Sequence, residues 1–139
     1  MSRKFLKFRL AGEWYLINVG NVLEIFNYRD PTPVPGAADE ILGILNIRGK
    51  ILPILSGPRL FHLSGSTKPT DEKIIILETD TTDFGVVADD VSEILELEDE
   101  AIEYTTESTK SQNITGTVNH ENQTMILVDF SSINKLFSK

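Results

Sequence analysis

The chain has 139 residues, with 13 Lys and Arg against 21 Asp and Glu, a formal net charge of -8, and no cysteine. That length suits one domain that buries roughly two thirds of its extended-chain surface without a metal or disulfide staple. The missing thiols exclude disulfides, thiol nucleophiles and thiolate metal sites, and the acidic balance opposes nonspecific attraction to nucleic acid or an anionic membrane.

Residues 5–10 alternate, with Leu6, Phe8 and Leu10 on one face and Lys7 and Arg9 on the other, the pattern of a half-buried strand. The charges of Arg3, Lys4, Lys7 and Arg9 break up any signal-peptide core, and no apolar run approaches the ~20 residues needed to cross a bilayer. A soluble cytoplasmic protein without direct membrane insertion is therefore expected. Residues 11–13 make a turn, and residues 14–19 form the return arm of an opening hairpin. After Gly20 and Asn21, residues 22–26 are again strand-like, with Val22, Glu24 and Phe26 alternating against Leu23 and Ile25. Pro31, Pro33 and Pro35 make residues 30–36 an extended connector that crosses a surface, and residues 37–41 suit one helical turn.

The stretch 41–55 is the most informative. Asn46, Arg48, Gly49 and Lys50 interrupt an otherwise apolar run, which reads as a turn between two buried strands. Asn46 can bond the local backbone, and Gly49 admits a positive φ. Arg48 is a permanent charge at the edge of an apolar element. It asks for a carboxylate partner or a binding role, because burying it unpaired would cost several kcal/mol; a half-exposed Arg whose stem covers the core is the other reading. Glu24 is a candidate for that carboxylate. Pro53 asks for an edge or bulged position.

Residues 56–58 end the arm, residues 59–63 carry no assignable pattern, and residues 64–72 form a linker or surface loop that divides the chain nearly in half. Residues 73–78 and 84–88 make a hairpin around 80–83. Residues 91–97 extend the pattern, with Val91, Ile94, Leu95 and Leu97 inward or at an interface. A polar connection over 105–112 precedes a last hairpin, 114–118 with 124–128 around 119–123. Ser131 or Ser132 then caps a short terminal helix carrying Ile133, Leu136 and Phe137. Many short strands separated by glycine and polar turns indicate an all-β fold of small barrels rather than an α/β sheet. From Asp71 to Glu107 the only cation is Lys73, so this span is either a solvated face or a surface that steers a basic partner.

Motifs for chemistry are missing. His62 and His120 are the only imidazoles, with no HExxH pair, no GxSxG elbow and no phosphate loop, so neither a metal, a cofactor nor a catalytic site is expected. Asp89 and Asp90 are adjacent and would point to opposite faces of a strand, which makes them a bend with solvated acids; Asp129 reads as a cap or turn acceptor. Phe5, Phe8, Trp14 and Tyr15 interleave with Arg3, Lys4, Lys7 and Arg9. A small-barrel protein that binds single-stranded nucleic acid is therefore the alternative function.

Over residues 5–137 the chain resembles CheW, the bacterial chemotaxis coupling protein, and the related CheW-like domains. Gly43, Asn46, Arg48, Gly49 and Pro53 match the family pattern G-x-x-N-x-R-G-x-x-x-P after Val34 and Pro35. Residues 85–91 and 125–129 add matches in the right order. The resemblance implies a single CheW-like domain over 1–139, made of two five-stranded SH3-like β-barrel subdomains that change over near 64–72, with strand exchange between them left open. It implies a non-enzymatic adaptor that couples the cytoplasmic tip of a chemoreceptor (a methyl-accepting chemotaxis protein) to the regulatory domain of a CheA-type histidine kinase, recruited to membrane-associated receptor arrays. By the same resemblance Glu24 and Arg48 form a charged pair near the receptor groove, Val22, Val87 and Val91 line it, and Ile51, Leu52, Ile54 and Leu55 face the kinase. One departure stands out: where the family continues with an Asp-Leu-Arg run, this chain has Ser56, Gly57 and Pro58. A divergent coupling protein of a second chemosensory or surface-motility system is the corresponding expectation.

Overall fold

The computed structural model describes residues 2–61, 72–80, 82–105 and 113–130. Eleven strands and a one-turn helix follow in order: β1 (Ser2–Leu10), β2 (Glu13–Asn18), β3 (Val22–Asn27), β4 (Ile41–Ile47), β5 (Lys50–Ser56), α1 (Gly57–Leu60), β6 (Lys73–Glu78), β7 (Asp83–Ala88), β8 (Asp90–Glu98), β9 (Ile102–Tyr104), β10 (Ile114–His120) and β11 (Gln123–Val128). They form a six-stranded sheet, β8-β1-β2-β11-β10-β9, and a five-stranded sheet, β3-β6-β7-β5-β4. The all-β class and the two sheets agree with the sequence reading. The first sheet has six strands rather than five, because the three-residue β9 within an acidic stretch is too short to show a period.

Each sheet takes strands from both sides of residues 62–71: β1 and β2 join β8 to β11, while β3 to β5 join β6 and β7. The chain passes between the sheets over the short 3-10 turn Val19–Asn21 and again through Asp89 alone, between β7 and β8. Residues 64–71 of the expected 64–72 linker, His62, residues 106–112 of the expected 105–112 connection, and the terminal helix with Ser131, Ser132, Ile133, Leu136 and Phe137 lie outside the described residues.

Strand alternation divides the apolar side chains among three cores. Leu6, Phe8, Leu10, Tyr15 and Ile17 from the first sheet pack with Leu55, Ile75, Leu77, Phe84 and Val86 from the second, which joins the two sheets. The opposite faces supply Phe5, Leu16, Leu97, Val118 and Met125 to a core of the first sheet. Leu52, Ile54, Ile74, Ile76 and Val87 do the same in the second. Ile74 and Ile76 point one way and Ile75 and Leu77 the other, so one run of four apolar residues serves two cores. A strand buried on both faces has no polar side, as β6 illustrates.

The central hairpin turns on Arg48 at φ 54° and Gly49 at φ 85°, a two-residue turn of the kind that matches strand twist. Asn46 Oδ1 accepts the Gly49 N–H at 2.8 Å. Pro53 fits because Ile44, its partner on β4, directs both its N–H and its carbonyl to Thr32 at 2.9 Å. Pro53 and Ile44 are thus a pair without mutual hydrogen bonds, and β5 first pairs with β7 at Ile54. The missing Pro53 N–H leaves no ladder bond unmade. In place of the helical turn expected over 37–41 there are two successive turns, 34–37 and 38–41, with Ala37 N–H bonded to Val34 O at 3.2 Å and Ile41 N–H to Ala38 O at 2.9 Å. A single turn next to a proline-held connector gains too little to nucleate a helix. After β5 comes α1, which takes in Arg59 and Leu60 of the unassigned stretch 59–63; Ser56 Oγ accepts the Arg59 N–H at 3.3 Å and Pro58 occupies the first turn.

Candidate functional site

β3 and β4 are the two edge strands of the second sheet, yet the Arg48 Nη1 on the β4–β5 turn meets Glu24 Oε1 on β3 at 2.9 Å. One ion pair thus spans from β3 to the turn that follows the opposite edge strand. Positive φ turns the Arg48 side chain outward, leaving it 80% exposed, while Glu24 is 27% exposed. Beside the pair lies a groove of about 440 Å³ whose walls include Phe26, Tyr28 and Ile47. The Arg29 guanidinium lies 5.3 Å from the Phe26 ring centre at its rim. Burial, and then the carboxylate of Asp30, push the Tyr28 hydroxyl above its usual pKa range. Lys50 Nζ pairs with Asp83 Oδ2 at 2.9 Å, tying the same turn to β7.

Val22 and Val91 are half-buried and pack against the core shared by both sheets. Val87 is 3% exposed, within the core of the second sheet, so it reaches no surface. Three exposed apolar residues lie near these: Leu23 at 49%, Ile25 at 39% and Ile94 at 55%. Ile25 stands opposite Ile75 and Ile94 opposite Leu6, and both partners belong to the shared core. The edge strands β3 and β8 thus carry the inter-sheet apolar face beyond the area that the opposite sheet covers. Sequence alternation marked the two faces of β3 but could not tell which part of a face lies beyond a neighbour. Ile51 on β5 is 56% exposed, whereas Leu52, Ile54 and Leu55 are 4%, 0% and 0% exposed.

The aromatic residues expected to stack nucleotide bases are covered wholly or in part. Phe5, Phe8 and Tyr15 are 1%, 1% and 2% exposed. Trp14 is half-buried, with Lys7 Nζ 4.5 Å and the Arg9 guanidinium 5.5 Å from its ring centre. Those cations cap the indole and compete with a base for its faces. Among the described residues no cluster of three or more His, Asp or Glu could hold a metal, and no helix is long and apolar enough to cross a membrane. Asp90 Oδ1 accepts the N–H of its neighbour Val91 at 2.9 Å, and the exposed Asp129 sits past the end of β11 with its N–H bonded to the Asn113 carbonyl at 2.9 Å. Asp89 is not the solvated acid expected, since its Oδ2 accepts the Ala11 N–H at 2.8 Å and its Oδ1 is shut off from solvent.

Residues 4–136 match the model of the CheW-like domain family. The chemotaxis protein CheW of Klebsiella aerogenes is 32% identical over 141 aligned residues, 99% of this chain and 83% of that protein. The chemotaxis protein CheW of Bacillus subtilis is 25% identical over 95% of this chain and 86% of its own length. The crystal structure of the scaffolding protein TtCheW from Thermoanaerobacter tengcongensis superposes with a TM-score of 0.86 at 27% identity, covering 93% of this chain and 90% of that one.

Proposed function

The chain belongs to the CheW-like domain family, and from that premise we propose how this non-enzymatic chemotaxis adaptor couples the cytoplasmic tip of a chemoreceptor to the regulatory domain of a CheA-type histidine kinase. The receptor's helical hairpin docks on the surface that carries Glu24 and Arg48, with Val22 and Val91 at its floor. Val87 acts on that surface from beneath, through the core that backs β3. The kinase domain docks on the outer face of the β4–β5 hairpin, where Ile51 makes contact and Leu52, Ile54 and Leu55 hold the strand in place. The observation that carries this reading is an 80% exposed Arg48, held by Glu24, on the hairpin that bears the family motif. A bound partner can displace or extend such a pair without unfolding anything.

Receptor state then reaches the kinase as a difference in free energy between assembled conformations, with no proton or phosphoryl transfer by the adaptor. Apolar contacts supply affinity, and the surrounding charges fix orientation. The same reading treats the whole chain as one domain of two small SH3-like barrels with strands exchanged between them. The Glu24–Arg48 bridge between sheet edges supports closure of the second. Contacts from Arg3 to Asp99 and to the Tyr104 hydroxyl support closure of the first. The protein acts in the cytoplasm at membrane-associated receptor arrays. Ser56, Gly57 and Pro58, in place of the acidic and basic residues usual in the family, favour a divergent or second array.

The test is a pull-down with a receptor hairpin together with a titration against a labelled kinase regulatory domain. Saturable association with both is expected. No association with any chemosensory kinase from the same cell would sink the adaptor assignment.

A further inference from the structure

Of the two places where the chain crosses between the sheets, the one between β7 and β8 is a single residue, which leaves very little chain with which to set the direction of β8. β7 ends at Ala88, fully buried in the shared core, and β8 begins at Asp90, so the backbone torsions of Asp89 are the whole link between these two strands. Asp89 is held twice by the other sheet. Its N–H donates to the Arg9 carbonyl at 2.9 Å, and its Oδ2 accepts the Ala11 N–H at 2.8 Å. Ala11 at φ 50° and Gly12 at φ 87° form the tight turn of the β1–β2 hairpin, which aims the Ala11 N–H at the carboxylate. The second oxygen, Oδ1, is solvent-excluded and has no donor. A solvated acid at a bend would have neither the bond nor the burial, and a carboxylate kept in this state is engaged in positioning.

We propose that Asp89 is the positioning residue of the docking surface: its bond to the Ala11 N–H fixes the direction in which β8 leaves the second sheet. Val91 and Ile94 lie two and five residues downstream on β8, while Val22 and Ile25 lie on β3 of the other sheet. A change of direction at Asp89 moves the first pair against the second. Asp89 touches no partner in this scheme. It acts through β8, and the inference rests on the adaptor reading only for what the surface binds.

The absence of cysteine allows two labels to be attached without background, at Glu78→Cys on β6 and Asn119→Cys on β10, both exposed, one in each sheet. Spin-label distances in the full chain should give one narrow distribution for the parent and for Asp89→Asn, which keeps an acceptor for Ala11. Asp89→Ala should broaden it about twofold or shift its mean, because a second orientation becomes populated. Capture of a receptor hairpin should fall at least about fivefold for Asp89→Ala and return with Asp89→Asn. An unchanged distance distribution in folded Asp89→Ala overturns the proposal. If that variant does not fold, Asp89→Glu carries the carboxylate one methylene further and should shift the mean distance; no shift is likewise decisive against it. A parent chain that captures no receptor hairpin, with Asp89→Ala still broadening the distances, refutes the adaptor reading and leaves the positioning role standing.

Discussion

Arg48 holds a positive φ that costs an ordinary side chain roughly 1–2 kcal/mol, and it does so with its side chain 80% exposed at the turn of the central hairpin. A residue chosen for turn stability alone would be glycine or asparagine. Two substitutions separate the backbone role from the surface role. Arg48→Glu should weaken receptor capture strongly while lowering stability by only about 0.5–1 kcal/mol, the scale of an exposed ion pair. Arg48→Gly should lose capture as well, yet keep or raise the melting temperature because the turn relaxes. Equal loss of capture and stability in both variants would make Arg48 chiefly structural. Tyr15 offers a different reading at the same scale. Burial, and then Glu13, push its hydroxyl above the ordinary value of 10.0, so the folded state keeps a proton that the unfolded state gives up. Its contribution is complete below that pH and declines as pH rises through it. Alkaline titration followed by circular dichroism should show a stability loss above about pH 10 that is shallower in Tyr15→Phe.

Among the elements, β4 depends on a glycine for close approach. A Cβ on Gly43 would lie 2.3 Å from the Thr32 carbonyl oxygen and 2.9 Å from Pro31 Cβ, while φ there is +155°. The proline connector lies directly on the strand at this point, exchanging two backbone hydrogen bonds with Ile44. Gly43→Ala should cost about 2–4 kcal/mol in urea denaturation and loosen the connector. A loss below about 0.5 kcal/mol, the range of an ordinary surface change, would mean that the connector yields freely. At α1 the departure from the family acquires a physical role. Ser56 caps the turn, Pro58 is its second residue, and Arg59 Nη1 donates to the Asp39 carbonyl at 2.9 Å. Gly57 leaves no room for a side chain, since a Cβ would meet Leu10 Cδ2 at 2.5 Å and the Val87 carbonyl oxygen at 2.7 Å. Ser56→Ala should therefore cost about 1 kcal/mol through the lost cap, measured as a shift in the urea midpoint, and no change there would exclude the capping role.

For the whole molecule, the separation of exposed apolar residues onto different elements predicts separable functions. Ile94 on β8 belongs with the inter-sheet face, and Ile51 belongs to the β4–β5 hairpin. Ile94→Glu should reduce receptor capture and spare kinase binding, Ile51→Glu the reverse, and neither should lower the melting temperature by more than a few degrees, since both side chains already face water. Identical losses on both partners from either change would point to a single shared surface. The double variant should show additive losses in binding free energy if the two surfaces are independent.

Period-two alternation, turn residues and the spacing of Gly43, Asn46, Arg48, Gly49 and Pro53 were enough to establish the all-β class, most of the hairpins and the family resemblance, because each is a local property of backbone and side chain. The pairing of Glu24 with Arg48 was a chemical inference of the same kind: a charge of that permanence on an apolar element asks for a carboxylate. The allotment of strands to sheets was not local. β8 pairs with β1 across more than eighty residues of chain, and nothing in either strand names the other. Exposure was decided at the same level: Ile25 and Ile75 are alike in residue type and share one face of a sheet, but only Ile75 lies where the opposite sheet covers it. Which apolar residues remain for a partner depends on where one sheet ends over the other, and that boundary exists only in the folded molecule.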